Sequence, residues 1–267
     1  MNAVLFAKEL KRNRKKSFIW TSIVLGFTLL ILSIYPSFSG MKEEIVSLMS
    51  NLPESLTKAI GVDESTWSSI TGFYSTYYGV YITLLMGIFT ASTGATILGK
   101  EERDGTAEFL LTRPISRSNV ARTKLAVLGS LLLTIYVIQS SVALIGIGFL
   151  GSNISWGTLA ALHIHGFFLV AFFTGAGFML GSYLGVKMNY TGPMVGMIFG
   201  SYFLNAISSA SDAVEWLGYV SPYHYLPLTL KQGALEINYL ACGVFCLLTA
   251  GMIWIGYSRY LKRDILG

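Results

Sequence analysis

Charged residues are scarce in this chain. Asp, Glu, Lys and Arg make up 12% of its 267 residues, whereas a soluble domain carries about a quarter. Hydrophobic residues make up 53% and are grouped into runs near the roughly 20 residues that a transmembrane helix needs. The short alternating strands of an outer-membrane barrel are absent from the sequence. The composition therefore predicts an all-α membrane protein that crosses the bilayer several times.

Six apolar runs are predicted to span the membrane. They are Phe18–Pro36, Phe73–Gly99, Leu125–Leu150, Leu159–Val186, Thr191–Ala210 and Tyr239–Tyr257. The first run is too long for the apolar core of a signal peptide, so we expect it to remain uncleaved. Residues 1–17 are predicted to form an interfacial helix, with basic side chains at the headgroups. Residues 18–267 then form a six-span domain with an outer loop over 37–72, a charged island over Lys100–Lys124 and an outer segment over 211–236.

The predicted spans lack Asp, Glu, Lys and Arg altogether. Ion-coupled transporters need ionisable groups at membrane depth to carry the coupling charge. A pump with its own catalytic aspartate needs a soluble domain, for which this chain has no room. Polar residues such as Gln139 and Asn205 are expected to join helices by hydrogen bonds or to line a path. Uphill transport would therefore need energy from a partner protein, and a passive channel is an alternative.

Lysine and arginine are distributed unevenly between the two sides of the membrane. Sixteen of the nineteen lie in the N-terminal segment, the island, the loop after the fourth span and the C-terminal tail, and only Lys42, Lys58 and Lys231 lie on the other side. Because basic residues concentrate in cytoplasmic loops, the island and both termini are predicted to be cytoplasmic. The net charge of +5 reflects this bias and does not indicate nucleic-acid binding.

Cysteine and histidine are also rare. Cys242 and Cys246 lie four residues apart on one helix face and are expected to pack as small hydrophobic residues. His163, His165 and His224 are all predicted on the outer side, which leaves open a metal site or an intramembrane enzyme that uses these histidines. However, HExxH is absent, and alternate residues on a helix point about 200° apart. A place in the aromatic belt at the interface is therefore favoured.

Glycines recur at every fourth position in two spans. One row is Gly177, Gly181 and Gly185, and the other is Gly192, Gly196 and Gly200. Such rows allow two helix backbones to approach closely. The contact would lie within the chain or, alternatively, between subunits.

The residues from Gly94 to Lys100 spell most of a phosphate-binding loop, GxxxxGK. Glu101 follows, where a Ser or Thr hydroxyl should bind magnesium, and an apolar span precedes the motif instead of a strand. We therefore do not expect this chain to bind a nucleotide.

The island combines an acidic start with an apolar contact surface. Glu101, Glu102 and Asp104 suit the positive N-terminal end of a helix, which Asp104 or Thr106 is expected to cap. Pro114 is predicted to end it. Ser116 is predicted to cap a second helix that continues into the third span. Apolar residues at Ala107, Leu110 and Leu111 then form the surface of a short helix that binds a partner.

At these residues the chain resembles the ABC-2 type exporter permeases. The shared pattern is an acidic start, Gly105-Thr106, Glu108, Leu110-Leu111, Pro114, Ser116-Arg117 and a later Lys124. The six spans, the basic N-terminal helix and the outer Ser221-Pro222 segment are similar as well.

The resemblance implies a function and a contact site. In that family the stretch contains a coupling helix that docks on a separate ATPase subunit, and two permeases assemble with two ATPases. ATP and magnesium are then expected on the partner, with no cofactor, metal or catalytic residue in this chain. The implied ATPase contacts are Glu101, Glu102, Asp104, Gly105, Thr106, Ala107, Glu108, Leu110, Leu111 and Pro114. The other expected partners are a second permease, identical or paralogous, and lipids of a prokaryotic cell membrane.

The outer loop contains an amphipathic pattern. Ile45, Leu48, Met49 and Leu52 recur at intervals of three to four residues, which predicts a helix. It would rest on the outer leaflet, cap the pathway or meet the substrate. The sequence does not select the substrate or the direction of transport.

Overall fold

The computed structural model describes residues 3–41, 69–106, 116–151, 154–184, 189–230 and 233–263, and these residues form helices and turns without a β-strand. The elements in chain order are α1 (Ala3–Gly40), α2 (Ile70–Tyr77), a π-helical turn (Tyr78–Ile82), α3 (Thr83–Ile97), α4 (Lys100–Arg103), α5 (Arg117–Leu150), α6 (Trp156–Tyr183), α7 (Thr191–Ala210), a 3-10 helix (Asp212–Val220), α8 (Pro222–Tyr225) and α9 (Tyr239–Lys262). This confirms the all-α fold predicted from the composition.

Five helices in the described residues are long and apolar enough to cross a membrane: α1, the continuous helix Ile70–Ile97, α5, α6 and α9. They correspond to five of the six predicted spans. The remaining prediction, Thr191–Ala210, is a helix of 20 residues, α7, but it is not among the five. Its sequence is rich in glycine, serine and other small polar residues, which lowers its hydropathy.

Helix α1 joins two segments that the sequence had divided. Its 38 residues extend about 57 Å at the α-helical rise, well beyond the roughly 30 Å of hydrocarbon in a bilayer. The predicted boundary at residue 17 therefore falls inside an unbroken helix, and the predicted span end at Pro36 lies before the helix end at Gly40. Residues 42–68 lie outside the described part, as does the amphipathic helix predicted there.

Helices α3 and α6 form the centre of the bundle, with α1 against α5 and α9 against α6. A Cβ atom at Gly177 or Gly181 of α6 would overlap the backbone carbonyl of Ala91 or Ala95 of α3. Only glycine allows this approach, so this part of the first glycine row packs within the chain. Gly185 lies outside the described residues.

The second glycine row has no such partner among the described residues. Ideal Cβ atoms at Gly192, Gly196 and Gly200 of α7 would meet nothing within 4 Å. The same spacing therefore serves close packing in α6 and leaves an open helix face in α7.

After α7 the chain turns back into the bundle. The 3-10 helix packs along α7, and Ser221 donates a hydrogen bond from its hydroxyl to the carbonyl of Ser201, at 2.6 Å. The same hydroxyl accepts from the Tyr223 amide at the start of α8. The Tyr223 ring is buried, with its centroid 5.7 Å from Tyr202 and 6.1 Å from Phe173. Part of the predicted outer segment, residues 211–236, thus packs in the core of the helix bundle.

Candidate functional site

Both ends of the island are described, and they lie together at one end of the bundle. Residues Lys100–Thr106 and Ser116–Lys124 have defined structure, whereas residues 107–115 lie outside the described part. The predicted contact residues Ala107, Glu108, Leu110, Leu111 and Pro114 fall in this gap, and their role stays a prediction.

The acidic start of the island forms a helix of its own. Glu101 and Glu102 lie in the single turn of α4, and Asp104 caps its C-terminal end. Gly105 then adopts a φ of 66°, a left-handed conformation that favours glycine. The Thr106 amide donates to the Glu101 carbonyl at 2.8 Å, which closes the turn. The acidic residues therefore precede the predicted contact stretch in a separate, tightly ended turn.

Ser116 caps α5, as the sequence predicts. Its hydroxyl accepts a hydrogen bond from the Asn119 amide at 3.3 Å, and α5 begins at Arg117. The second half of the island thus belongs to the helix that continues into the third predicted span.

Lys124 of α5 lies fully buried beneath α4. Its ammonium group forms an ion pair with Glu101 and donates to the carbonyls of Ile97, at 2.6 Å, and Leu98, at 3.4 Å. These carbonyls belong to the C-terminal end of α3, where the helix dipole is negative. A buried lysine is costly unless it is paired and hydrogen-bonded, and here three acceptors from one corner of the bundle meet that need.

Arg12 of α1 binds the same corner from another side. Its guanidinium group lies 3.3 Å from the Glu101 carboxylate and 3.4 Å from that of Glu9, and it also pairs with Asp104. Glu101 therefore joins α1 to α5 through α4. Glu9 is itself buried.

Arg263, just after α9, supplies the third contact. It pairs with Glu102 at 2.8 Å, and its backbone carbonyl accepts a hydrogen bond from Arg117 at 3.0 Å. All three carboxylates at the start of the island therefore have basic partners within the chain. From the sequence, Arg263 was noted only as one of many basic residues, because nothing local to it predicts a contact 161 positions away.

Two further basic residues at this end of the bundle contact uncharged groups. The Lys16 ammonium donates to the Thr93 hydroxyl at 3.1 Å and lies 5.6 Å from the centre of the Phe89 ring. Arg103 donates to the Thr96 carbonyl at 3.4 Å.

Lys100 is similar, since it donates to the Asn13 amide oxygen at 3.4 Å. Burial, followed by the charge of Arg12, lowers the pKa of Lys100, and nearby carboxylates, Glu9 foremost, oppose this. This end of the bundle thus presents positive charge beside the island, which suits anionic headgroups or an acidic partner.

The N-terminal helix carries more of the site than the sequence predicts. Leu5, Glu9, Asn13 and Ser17 are buried at intervals of four residues, so α1 turns a mostly polar stripe inward. Glu9 is the only acidic residue among the basic residues of this segment. This lone acidic residue was the sequence signal that the N-terminal segment packs against the rest of the protein as well as against lipid headgroups.

The histidines do not form one site in the described residues. His163 binds the Leu159 carbonyl and the Tyr74 hydroxyl, whereas His165 binds backbone groups of Pro227 and Asn238.

His224 lies between the rings of Tyr219 and Tyr225. Among the described residues, no group of three or more His, Cys, Asp and Glu side chains could hold a metal ion. The two cysteines are free thiols, Cys242 buried and Cys246 exposed.

Comparison with protein-family models identifies a family. The model of a family described as ABC-2 family transporter protein matches residues 3–265, nearly the whole chain. No curated protein sequence matches it.

Proposed function

We propose, from the premise that this chain belongs to the ABC-2 transporter family, that it is the membrane subunit of an ATP-driven exporter. The family match confirms the resemblance seen in the island and supports a multi-pass transport permease. ATP binding and hydrolysis are assigned to a separate ATPase subunit that carries the nucleotide and magnesium. The predicted spans contain no Asp, Glu, Lys or Arg that would couple transport to an ion gradient.

The ion pairs around α4 are the observation that carries this proposal. Arg12, Lys124 and Arg263 join the first turn of the island to α1, α5 and the end of α9. A force on the island would therefore act on three long helices together instead of being absorbed by a flexible loop. This is what a subunit without its own energy source needs at its contact with a motor.

Burial supports a division of roles among the predicted contact residues. Side chains of Glu101 and Glu102 are about nine-tenths buried by their partners, whereas that of Asp104 is 44% exposed. We assign Glu101 and Glu102 to holding the island in place. Asp104, Gly105 and Thr106 are assigned to the edge of the ATPase contact.

The contact surface itself is assigned to the stretch after Thr106. Ala107, Glu108, Leu110 and Leu111 would bind a groove of the ATPase, and Pro114 would end the helix. The apolar spacing in the sequence is the basis for this assignment.

The island end is assigned to the cytoplasm, with both chain termini there. The contacts of Arg12 and Arg263 with α4 bring the N-terminal helix, the island and the end of α9 to one end of the bundle. The excess of lysine and arginine in these segments favours the cytoplasmic side. The proposed location is the cell membrane of a prokaryote.

A second permease copy is the other proposed partner. The open glycine face of α7 carries exposed Phe199 and Phe203 beside Gly196 and Gly200. Small residues flanked by large apolar ones allow helices to pack closely in a bilayer. We assign this face to the contact between two permeases.

Co-purification with an ABC ATPase tests the proposal, and any ATPase encoded by a neighbouring gene is the first candidate. Leu110→Asp and Leu111→Asp should each abolish binding of the ATPase while the permease still reaches the membrane, because a charge would enter the apolar contact. Leu110→Met is the matched control and should bind normally. Normal ATPase recovery with both aspartate variants would overturn the assignment of the contact. Substrate flux without any ATPase would instead identify a passive channel.

A further inference from the structure

His165 makes two hydrogen bonds to the backbone of the segment that precedes α9. Its Nδ1 atom lies 3.0 Å from the carbonyl oxygen of Pro227, and its Nε2 atom lies 2.9 Å from the amide nitrogen of Asn238. The residue is fully buried. One side chain of α6 thus binds both ends of the stretch from residue 227 to residue 238.

These two contacts determine the protonation of the ring. The Asn238 amide can only donate, so Nε2 must accept and carries no proton. The Pro227 carbonyl can only accept, so Nδ1 must carry the proton and donate. The neutral ring with hydrogen on Nδ1 is therefore the only form that satisfies both contacts.

The bonded residues occupy important positions in the fold. The Asn238 side chain caps α9 by accepting a hydrogen bond from the Ala241 amide at 3.1 Å. Next to Pro227, Leu228 packs against the π-helical turn, since a Cβ atom at Gly79 would lie 3.1 Å from that of Leu228. His165 therefore connects α6 with the start of one long helix and with a segment that packs on another.

We propose that His165 is a positioning residue that holds Pro227, Asn238 and the start of α9 on α6, and that protonation of its ring releases Asn238 and the start of α9 while Pro227 stays bonded. A proton on Nε2 would point at the Asn238 N–H, so two donors would face each other and this hydrogen bond would be lost. The contact is present while the ring is neutral and is lost as the pH falls through the range in which histidine binds a proton. In the orientation proposed above, this segment lies on the outer side, so acidification outside would loosen the outer part of the transporter; this last step rests on the proposed function.

Other titratable groups near this segment have separate contacts. His163 of α6 binds Leu159 and Tyr74, and Tyr78 of the π-helical turn bonds to Tyr136.

On the segment itself, and at the start of α9, Glu236 and Tyr239 are exposed, and Cys242 is buried. Glu236 is the acidic residue among these groups. Lys231 lies outside the described residues.

Hydrogen exchange followed by mass spectrometry tests the proposal on the purified full-length chain in lipid nanodiscs. Peptides covering the Asn238 amide are compared at about pH 7.5 and about pH 4.5, the lower value lying well below the usual histidine titration, after correction for the intrinsic pH dependence of exchange. In the unchanged protein, the corrected exchange rate of this amide should rise about fivefold or more at the lower pH, which is the effect of losing one hydrogen bond.

Two substitutions separate the two ring nitrogens. His165→Gln places an amide oxygen near the position of Nε2, so it should keep the Asn238 amide protected at both pH values because it does not titrate. His165→Asn places its amide near Nδ1 only, so this amide should exchange rapidly at both pH values. His163→Gln is the matched control and should retain the pH dependence of the unchanged protein.

Protection that is independent of pH in the unchanged protein would overturn the proposal, and so would an unchanged pH dependence in His165→Gln. If His165→Asn does not fold, the pH dependence of the Asn238 amide in His165→Gln, compared with that in the unchanged protein, still tests the proposal. The measurement uses no ATPase and no substrate. Failure of the exporter assignment and failure of the His165 contact would therefore be seen in different experiments.

Discussion

Lys124 and Glu101 form a buried ion pair that joins the two ends of the island. The residues are 23 positions apart in the chain, and the Lys124 side chain is fully buried. The two ends of the stretch that includes the predicted ATPase contact are therefore held together. Because the ends are already fixed in the folded permease, the stretch has less conformational entropy to lose when an ATPase binds.

Removing one partner of this pair should destabilise the protein. Lys124→Met leaves the Ile97 carbonyl without its lysine donor and Glu101 with Arg12 as its remaining partner. We expect a loss on the order of 3 kcal/mol in the free energy of unfolding, as for other buried pairs that lose one member. Unfolding of the purified protein in detergent would measure it.

The double substitution Lys124→Met with Glu101→Leu provides the comparison. It removes both charges, so much of the loss should be recovered. Lys262→Met, at an exposed position of α9, is the control and should change stability little. Equal stability of Lys124→Met and the unchanged protein would show that the pair does not hold the island.

The contact between Arg12 and Asp104 should affect transport more than stability. Both side chains are partly exposed, at 27% and 44%, and exposed pairs contribute about 1 kcal/mol or less. Asp104→Asn removes this contact and leaves Arg12 paired with Glu9 and Glu101. It should therefore leave the protein folded but reduce ATP-driven transport, because α1 is less firmly joined to the island.

Asp104→Glu keeps the carboxylate and should retain most of the transport. Lys11→Gln, on the exposed side of α1, should transport normally. Transport rates in vesicles that contain the ATPase, together with thermal unfolding, would measure both effects. Unaltered transport in Asp104→Asn would contradict the role given to α1.

Substitution of Gly181 should be far more costly than substitution of Gly196. A Cβ atom at Gly181 overlaps the Ala95 carbonyl, whereas one at Gly196 meets nothing. Gly181→Ala should cost about 1–3 kcal/mol through overpacking, and Gly196→Ala should cost little. Similar unfolding temperatures for the two variants would disprove the close approach of α3 and α6.

Gly196→Leu tests the proposed contact between permeases. It should weaken dimerisation by adding bulk to the open face of α7 while leaving the monomer folded. Gly129→Leu, at an open position on α5, is the matched control. Chemical cross-linking in membranes would report the dimer, and an equal yield from Gly196→Leu and Gly129→Leu would exclude this face.

Features that depend on neighbouring residues followed from the sequence. Hydropathy locates the long helices because an apolar run in a bilayer must pair its backbone N–H and C=O groups within the run, which requires a helix. The cap at Ser116 followed from local chemistry in the same way. The family was visible from the island, since its motif lies within about 25 consecutive residues.

Contacts between distant residues did not follow from the sequence. Arg12 and Glu101 are 89 positions apart, and His165 and Asn238 are 73 apart. Which lysine or histidine finds which partner depends on how the helices pack, and one sequence contains no record of that choice. The continuity of α1 through residue 17 did not follow from the sequence for a related reason, because its inward stripe also contacts α4, where Lys100 donates to Asn13.

The two glycine rows show most clearly which features follow from the sequence and which depend on the tertiary structure. The sequence determined by itself that both spans have a face of small side chains at four-residue spacing. Only the tertiary structure decided that Gly177 and Gly181 lie against α3 while Gly192, Gly196 and Gly200 face no other part of the described chain. The physical reason is that spacing specifies a helix face, whereas the partner of that face is selected by the packing of the whole bundle.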